Sequence, residues 1–290
     1  ILASHTFFAV GFVNSVLQAL LFTLVVCIPI WRTGRISYVD IGWPWGLVVL
    51  AATSFIFSDG HWLRSLIVTF AVAIMGLRMG LGAVNMWRRG FLNKEFPRYQ
   101  YQRVRWQRDE KDNVALAAQV EAITQGLANS SFLALPIFII STNKAAEIFP
   151  LELVGLIIWA LSLTAENTAD FQKLNFLKAM KKEGKHAQVC DVGLWKYSRH
   201  PNYFFEWMVW NGLIVAAIPS WIALRSQETF VIWLLLGLGL LLASVFMYRT
   251  LVHLTGAIPS EYYSEQKRPD YKAYQQRTNR FFPGPRRSGH

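Results

Sequence analysis

Seven stretches of this chain stay apolar for long enough to cross a bilayer: His5 to Trp31, Ile41 to Ser58, Leu63 to Val84, Gln125 to Ser141, Leu151 to Thr164, Tyr203 to Pro219 and Thr229 to Phe246. A span needs ~17–25 predominantly apolar residues. The pattern therefore predicts an all-α, polytopic integral membrane protein with about seven transmembrane helices. The fifth stretch is short and the sixth is broken by Glu206 and Asn211, which leaves six or eight spans open. We read residues 1–290 as one membrane domain. Its parts are the N-terminal spans and an interfacial loop over 1–123, then the C-terminal spans, loop and tail over 124–290.

Three polar segments between the spans are long for connectors, and length of that kind is often functional. Met86 to Asn113 mixes Arg with Trp, Phe and Tyr, which fits either a helix at the headgroup surface or a lid over a cavity. In Glu166 to Asn202, Phe171, Leu174, Leu177 and Met180 recur at helical spacing with Lys on the other face, so span five is expected to continue as a helix beyond the bilayer. The tail from Pro259 onward is polar, aromatic and basic.

Charge then orients the spans. Of the 29 Lys and Arg residues, only Arg64, Lys144 and Arg225 fall in the loops after spans two, four and six, and Arg78 falls within span three. All the others lie in the alternate loops and the tail. Cationic loops stay in the cytoplasm, so the N-terminus is expected outside and the C-terminus inside. The same pattern absorbs the net charge of +11 without nucleic acid, because the basic residues are dispersed beside spans instead of gathered in one patch. Cys27 and Cys190 have no metal-ligand spacing and fall in different layers, so neither a metal site nor a disulfide is expected. The first stretch is too long and too polar at its rim for a cleaved signal peptide.

The stretch "GLWKYSRHPNYFFEW" carries the densest chemistry. Pro201 suits the first turn of a helix, where its missing N–H costs nothing, and Ser198 or His200 is placed to cap it. The helix is predicted to start near Asn202, its free N–H groups facing Lys196, Arg199 and His200, an arrangement that receives an anion. Contact with lipid phosphates accounts equally well for Lys196 and Arg199. It leaves Glu206 unexplained: an ionisable group one turn into a span usually faces a partner or a polar cavity, and Asn202 shares its helix face.

Two further groups invite both a structural and a chemical reading. Asp40, at the entry to span two beside Tyr38, is either the partner of Arg78 in a buried ion pair or, with Tyr38, a proton donor. Glu166 and Asp170 are like charges four apart on one helix, which suits either a solvated face or bound hydrogen-bond donors. No Gly-rich dinucleotide fingerprint, phosphate loop or HExxH motif occurs. A nucleotide would have to bind without a Rossmann fold.

Taken together, "DVGLWKYSRHPNYFFEW", the upstream "ENTADFQK", the downstream "RPDYKAYQQRTNRFFP" and the early "VDIGW" resemble the steroid 5-alpha-reductase-like membrane proteins, especially their uncharacterised, mostly bacterial branch. The resemblance covers roughly Tyr38 to Pro283. It implies a multi-span enzyme that uses NADPH from the cytoplasmic side to reduce a carbon–carbon double bond conjugated to a ketone in a lipophilic, steroid-like or other lipid substrate. By position it places Asn202 and Glu206 at the nicotinamide, Asp170 at the nucleotide portion, Lys178, Arg199 and His200 near the phosphates, and Tyr271 and Tyr274 over the cofactor. Glu166, Tyr197 and Arg78 are grouped with them, and Asp40 and Tyr38 become the catalytic candidates. The family's acid is a Glu in an early span with a Tyr in the next, whereas here the carboxyl is Asp40 and span three has no Tyr.

Two rivals share the pattern. Isoprenylcysteine and phospholipid methyltransferases carry a similar "RHPxY" turn that binds S-adenosylmethionine, although they usually place Gly where Phe205 stands and have a later Glu-rich signature not evident after Phe246. A non-catalytic lipid-binding or transport protein would explain the spans alone. The partners expected are a lipophilic small molecule and membrane lipids, with no obligatory protein partner. The membrane would be a bacterial inner membrane or the endoplasmic reticulum.

Overall fold

The computed structural model describes residues 2–110 and 113–287. Lys111 and Asp112 of the first long loop lie outside the described residues. Among the described residues seven helices are long and apolar enough to cross a membrane: Phe8–Thr33, Ile36–Phe57, Trp62–Arg88, Val114–Ser141, Pro150–Lys182, Pro201–Ser226 and Phe230–Lys267. The chain is thus an all-α, multi-pass membrane protein. Among the described residues no strand forms, and a single parallel bridge joins Ser198 to Asn279.

The fifth helix runs unbroken over 33 residues, as the spacing of its apolar positions predicts. The fourth differs from expectation, because it starts at Val114 and not near Gln125. Asn113 caps it by accepting from the Leu116 N–H at 2.9 Å. Its first turns carry polar side chains that hydropathy reads as loop, yet Gln119 Nε2 donates to the Cys27 carbonyl at 3.0 Å, where the first span passes through a π-helical stretch. Ala118, Ala122 and Gly126 bury the small face of the same helix. The helix breaks at Ser131, whose backbone is non-helical, and resumes at Ala134 with Pro136 still in its first turn.

The chain divides into two compact units, one of Ile1–Gly155 with Leu213–Ala243 and one of Leu156–Gly212 with Ser244–His290. In the first unit, Phe22, Val26 and Ile30 pack with Tyr99, Trp106, Ala118 and Ala122. Three buried amides cross-link its helices: Asn14 Nδ2 donates to the Asn129 carbonyl at 3.1 Å, Gln18 Nε2 to the Gly46 carbonyl at 2.7 Å and Asn129 Nδ2 to the Trp43 carbonyl at 3.1 Å. Gly46 is what permits this approach, since a Cβ there would stand 2.1 Å from Asn129 Nδ2. Elsewhere in the unit Arg64 and Glu152, both fully buried, pair at 2.8 Å, and the same guanidinium satisfies the Ala145 and Glu147 carbonyls. Removing either partner would strand a buried charge.

Candidate functional site

The second unit builds the "SRHPNYFFE" turn against two supports. The fifth helix is one. Gly193, at φ +53°, brings the backbone against Gln172, whose Oε1 accepts from the Leu194 N–H at 2.8 Å, and Trp195 Nε1 donates to the Ala169 carbonyl at 2.8 Å. The tail is the other. Ser198 Oγ donates to the Phe281 carbonyl at 2.8 Å and accepts from the His200 N–H at 3.1 Å, Arg199 N donates to the Asn279 carbonyl at 2.8 Å, and Gly284 N donates to the Tyr197 carbonyl at 3.1 Å. Tyr274 Oη closes the turn from the tail by donating to the Trp195 carbonyl at 2.5 Å. Ser198 thus fixes the turn ahead of the helix, His200 holds the N-cap position with its carbonyl accepting from the Phe204 N–H at 3.1 Å, and the helix opens at Pro201 in the position that proline favours.

At the head of that helix Asn202 Nδ2 donates to Asp170 Oδ1 at 3.0 Å, tying the sixth helix to the fifth. Asn202 Oδ1 is buried and has no hydrogen-bond partner among the described residues. Glu206 lies half-buried one turn further along the same face. Glu166 is buried one turn before Asp170, while Asp170, Lys178 and Tyr197 are exposed.

Arg199 and His200 do not face outward as a pair of anion receivers. Both turn into a knot around Glu261, whose side chain is 4% exposed. Arg199 donates through Nε at 2.7 Å and Nη2 at 3.2 Å to Glu261, and through Nη1 to the Gln275 carbonyl at 3.0 Å and to the Thr278 carbonyl. Arg280 Nε and Gln275 Nε2 reach the second Glu261 oxygen at 3.1 and 3.3 Å. His200 Nε2 is 3.2 Å from Glu261 and its ring stacks on Tyr203. Burial pushes the His200 pKa below its ordinary value, against the opposing pull of Glu261, so the imidazole stays neutral at pH 7 and donates from Nε2. Tyr271 and Tyr274 are buried rather than displayed, and burial raises both phenols.

Asp40 and Tyr38 lie in the first unit. The carboxylate of Asp40 accepts from Tyr99 Oη at 2.6 Å and from Arg98, so the pairing with Arg78 considered above is not the one that forms. The reason is position. Asp40 sits in the first turn of its helix and meets the helix Pro97–Arg108, which docks there because Glu95 caps the Ile36 and Ser37 N–H groups at 2.9 and 3.0 Å. That loop helix buries Tyr99 and Trp106. Tyr38 packs half-buried against the cluster that contains them, and the hydroxyl at Asp40 belongs to Tyr99. Burial, then the Asp40 charge, holds the Tyr99 phenol well above its usual range, so it is a hydrogen-bond donor at neutral pH. Tyr99 escaped the sequence reading because it is distant in sequence from Asp40; its one signal was an aromatic residue in an Arg-rich loop of unusual length.

Among the described residues no group of three His, Cys, Asp or Glu is placed to hold a metal, and Cys27 and Cys190 are free thiols. The fold and these two polar clusters define a polytopic helical membrane protein with polar sites at helix ends. The chain belongs to the DUF1295 family, described as a protein of unknown function, whose model matches residues 27–278. No curated protein and no solved structure matches it.

Proposed function

We propose that the protein is an NADPH-dependent membrane reductase, related to the steroid 5-alpha-reductase-like group, that reduces a carbon–carbon double bond conjugated to a ketone in a lipophilic substrate. Its N-terminus lies outside and its Arg-rich loops and tail in the cytoplasm. The observation that carries the reading is Asn202: one face of its amide is fixed by Asp170 and the other, Oδ1, is a buried acceptor without a donor. A carboxamide N–H satisfies that acceptor, and Glu206 on the same face supplies a second acceptor for the same amide. Bound there, NADPH supplies a hydride equivalent.

The chain's own part in the chemistry then falls to Asp40 and Tyr99. At rest Tyr99 Oη donates its one proton to Asp40 at 2.6 Å; in turnover the hydroxyl would swing from Asp40 to the substrate carbonyl oxygen, give up that proton as hydride reaches the beta carbon, and regain one from water. Arg98 pairs with the same carboxylate, and burial keeps the proton on the Tyr99 phenol. Tyr38 becomes a packing residue in this scheme.

The test is thermal stabilisation of the purified protein by NADPH against S-adenosylmethionine, followed by Glu206→Gln. NADPH is expected to raise the melting temperature and the variant to weaken its binding about tenfold, roughly one charge-assisted hydrogen bond. Stabilisation by the methyl donor alone would replace the reductase reading with the methyltransferase one. Tyr99→Phe should then retain NADPH binding and lose turnover.

A further inference from the structure

At one end of the first unit, where the first and third spans finish and the second begins, residues 33–35 and 93–95 meet in a cationic corner. Arg35 Nη1 donates to the Asn93 carbonyl at 2.8 Å and Arg103 donates to the Gly34 carbonyl, which fixes the two segments side by side. Arg32 and Lys94 flank that junction, exposed, with no hydrogen bond or ion pair to any described residue. The Arg35 guanidinium donates only to the neutral Asn93 carbonyl, and its Nε is buried without a hydrogen-bond partner among the described residues. A buried donor left unpaired is costly, so this nitrogen asks for an acceptor.

The neighbouring carboxylates are committed. Glu95 accepts from the Ile36 and Ser37 N–H groups and pairs with Arg103 at 3.3 Å, while Asp40 is held by Tyr99 and Arg98. The negative end of the first span's dipole suits a cation at Arg32, in the last turn of the helix, but Arg35 and Lys94 lie outside that turn. Their charge is therefore not accounted for by the fold. An apolar track leads to the same corner: Leu20, Leu24 and Trp31 on the first span are 54%, 63% and 79% exposed, and Trp31 adjoins Arg32. A tryptophan at the end of a span marks the headgroup level.

We propose that this corner binds the headgroup of an anionic phospholipid, with the phosphate accepting from Arg35 Nε between the charges of Arg32 and Lys94, and an acyl chain lying past Trp31 along Leu24 and Leu20. An acidic protein segment would match the charge but leave Trp31 and the apolar side chains below it uncovered, whereas a lipid covers both. The site stands apart from the reductase reading, because it requires no cofactor.

The probe is phosphatidylglycerol, titrated into the full-length protein in a neutral detergent at constant ionic strength and read by thermal shift and native mass spectrometry, with phosphatidylcholine of the same acyl chains as reference. Saturable binding that favours phosphatidylglycerol is expected. Arg32→Gln and Lys94→Gln should each weaken it about fivefold, as ~1 kcal/mol per cation at an anionic surface implies, and together more than about tenfold. Both side chains are exposed and make no contact that holds the fold, so a loss in these variants is a loss of the site. Arg35→Gln should also weaken binding, and Arg35→Lys should restore it in part, returning the charge but not Nε. Lys181→Gln, at an exposed lysine of the fifth helix, should bind as wild type.

Equal affinity for the two lipids, unchanged phosphatidylglycerol affinity in the Arg32→Gln, Lys94→Gln double variant, or a response that never saturates would overturn the proposal. So would displacement of the lipid by inorganic phosphate, which assigns the corner to a soluble anion, or by a polyglutamate peptide, which assigns it to an acidic protein. Phosphatidylglycerol binding by a protein with no NADPH-dependent turnover would remove the reductase reading and leave this site intact.

Discussion

Replacing Glu261 with leucine should loosen the whole turn that begins the sixth helix. The carboxylate satisfies two donors of Arg199, one of Arg280 and one of Gln275, and it pairs with His200. Arg280 is 45% exposed and can return to water, whereas Arg199 is 7% exposed and cannot. The cost is therefore dominated by one buried guanidinium without its counter-charge, about 3–5 kcal/mol. In a chain of this size that lowers the melting temperature by on the order of 10 °C.

Arg199→Leu with Glu261→Leu removes both buried charges together; beyond the Arg280, Gln275 and His200 contacts that Glu261→Leu already loses, it forfeits the neutral bonds to the Gln275 and Thr278 carbonyls, each worth about 1 kcal/mol. The two single effects should then exceed the double effect by at least ~2 kcal/mol. The assay is thermal unfolding in detergent followed by tryptophan fluorescence, with trypsin cleavage in the tail reporting where the structure opens. Strictly additive singles, or a Glu261→Leu protein within about 1 kcal/mol of wild type, would refute the argument that this knot holds the turn in place.

Gly46→Ala should destabilise the first unit by ~1–3 kcal/mol, because its Cβ would stand 2.1 Å from Asn129 Nδ2 and 2.6 Å from Gln18 Oε1. Adding Asn129→Ala should recover part of that loss, and no recovery in thermal melts would mean the crowding lies elsewhere. The pH dependence follows from His200, whose folded pKa lies below the ordinary value near ~6.5. Between the two values the unfolded chain binds more protons, so the stabilisation is complete above pH ~6.5 and is lost as the pH falls through the depressed value. Melting temperatures should thus drop more steeply with acidification in wild type than in His200→Gln; parallel curves would remove His200 as the titrating group.

Much of the fold was legible along the chain, because in a bilayer each helix closes its own backbone hydrogen bonds and declares itself by a run of apolar residues. Even the extension of the fifth helix past its apolar part followed from Phe171, Leu174, Leu177 and Met180. The fourth span was legible only in its second half: Gln119 reads as a loop residue until the Cys27 carbonyl is seen to receive it. Polar side chains within spans are ambiguous in sequence, since their cost depends on partners far away in the chain.

The candidate sites divide in the same way. Local spacing alone determined that Pro201 opens a helix, that Asn202 and Glu206 share a face, and that Asp40 sits at a helix entry beside cationic loops. Tertiary structure decided which groups are on offer. It turned Arg199 and His200 inward to Glu261, gave Asp40 to Tyr99 and Arg98 instead of Arg78, and left Arg32 and Lys94 without an acidic partner among the described residues. Charge can be counted from a sequence, but whether it is free depends on which opposite charge the fold brings within a few ångströms, and Glu261 lies 62 residues from Arg199.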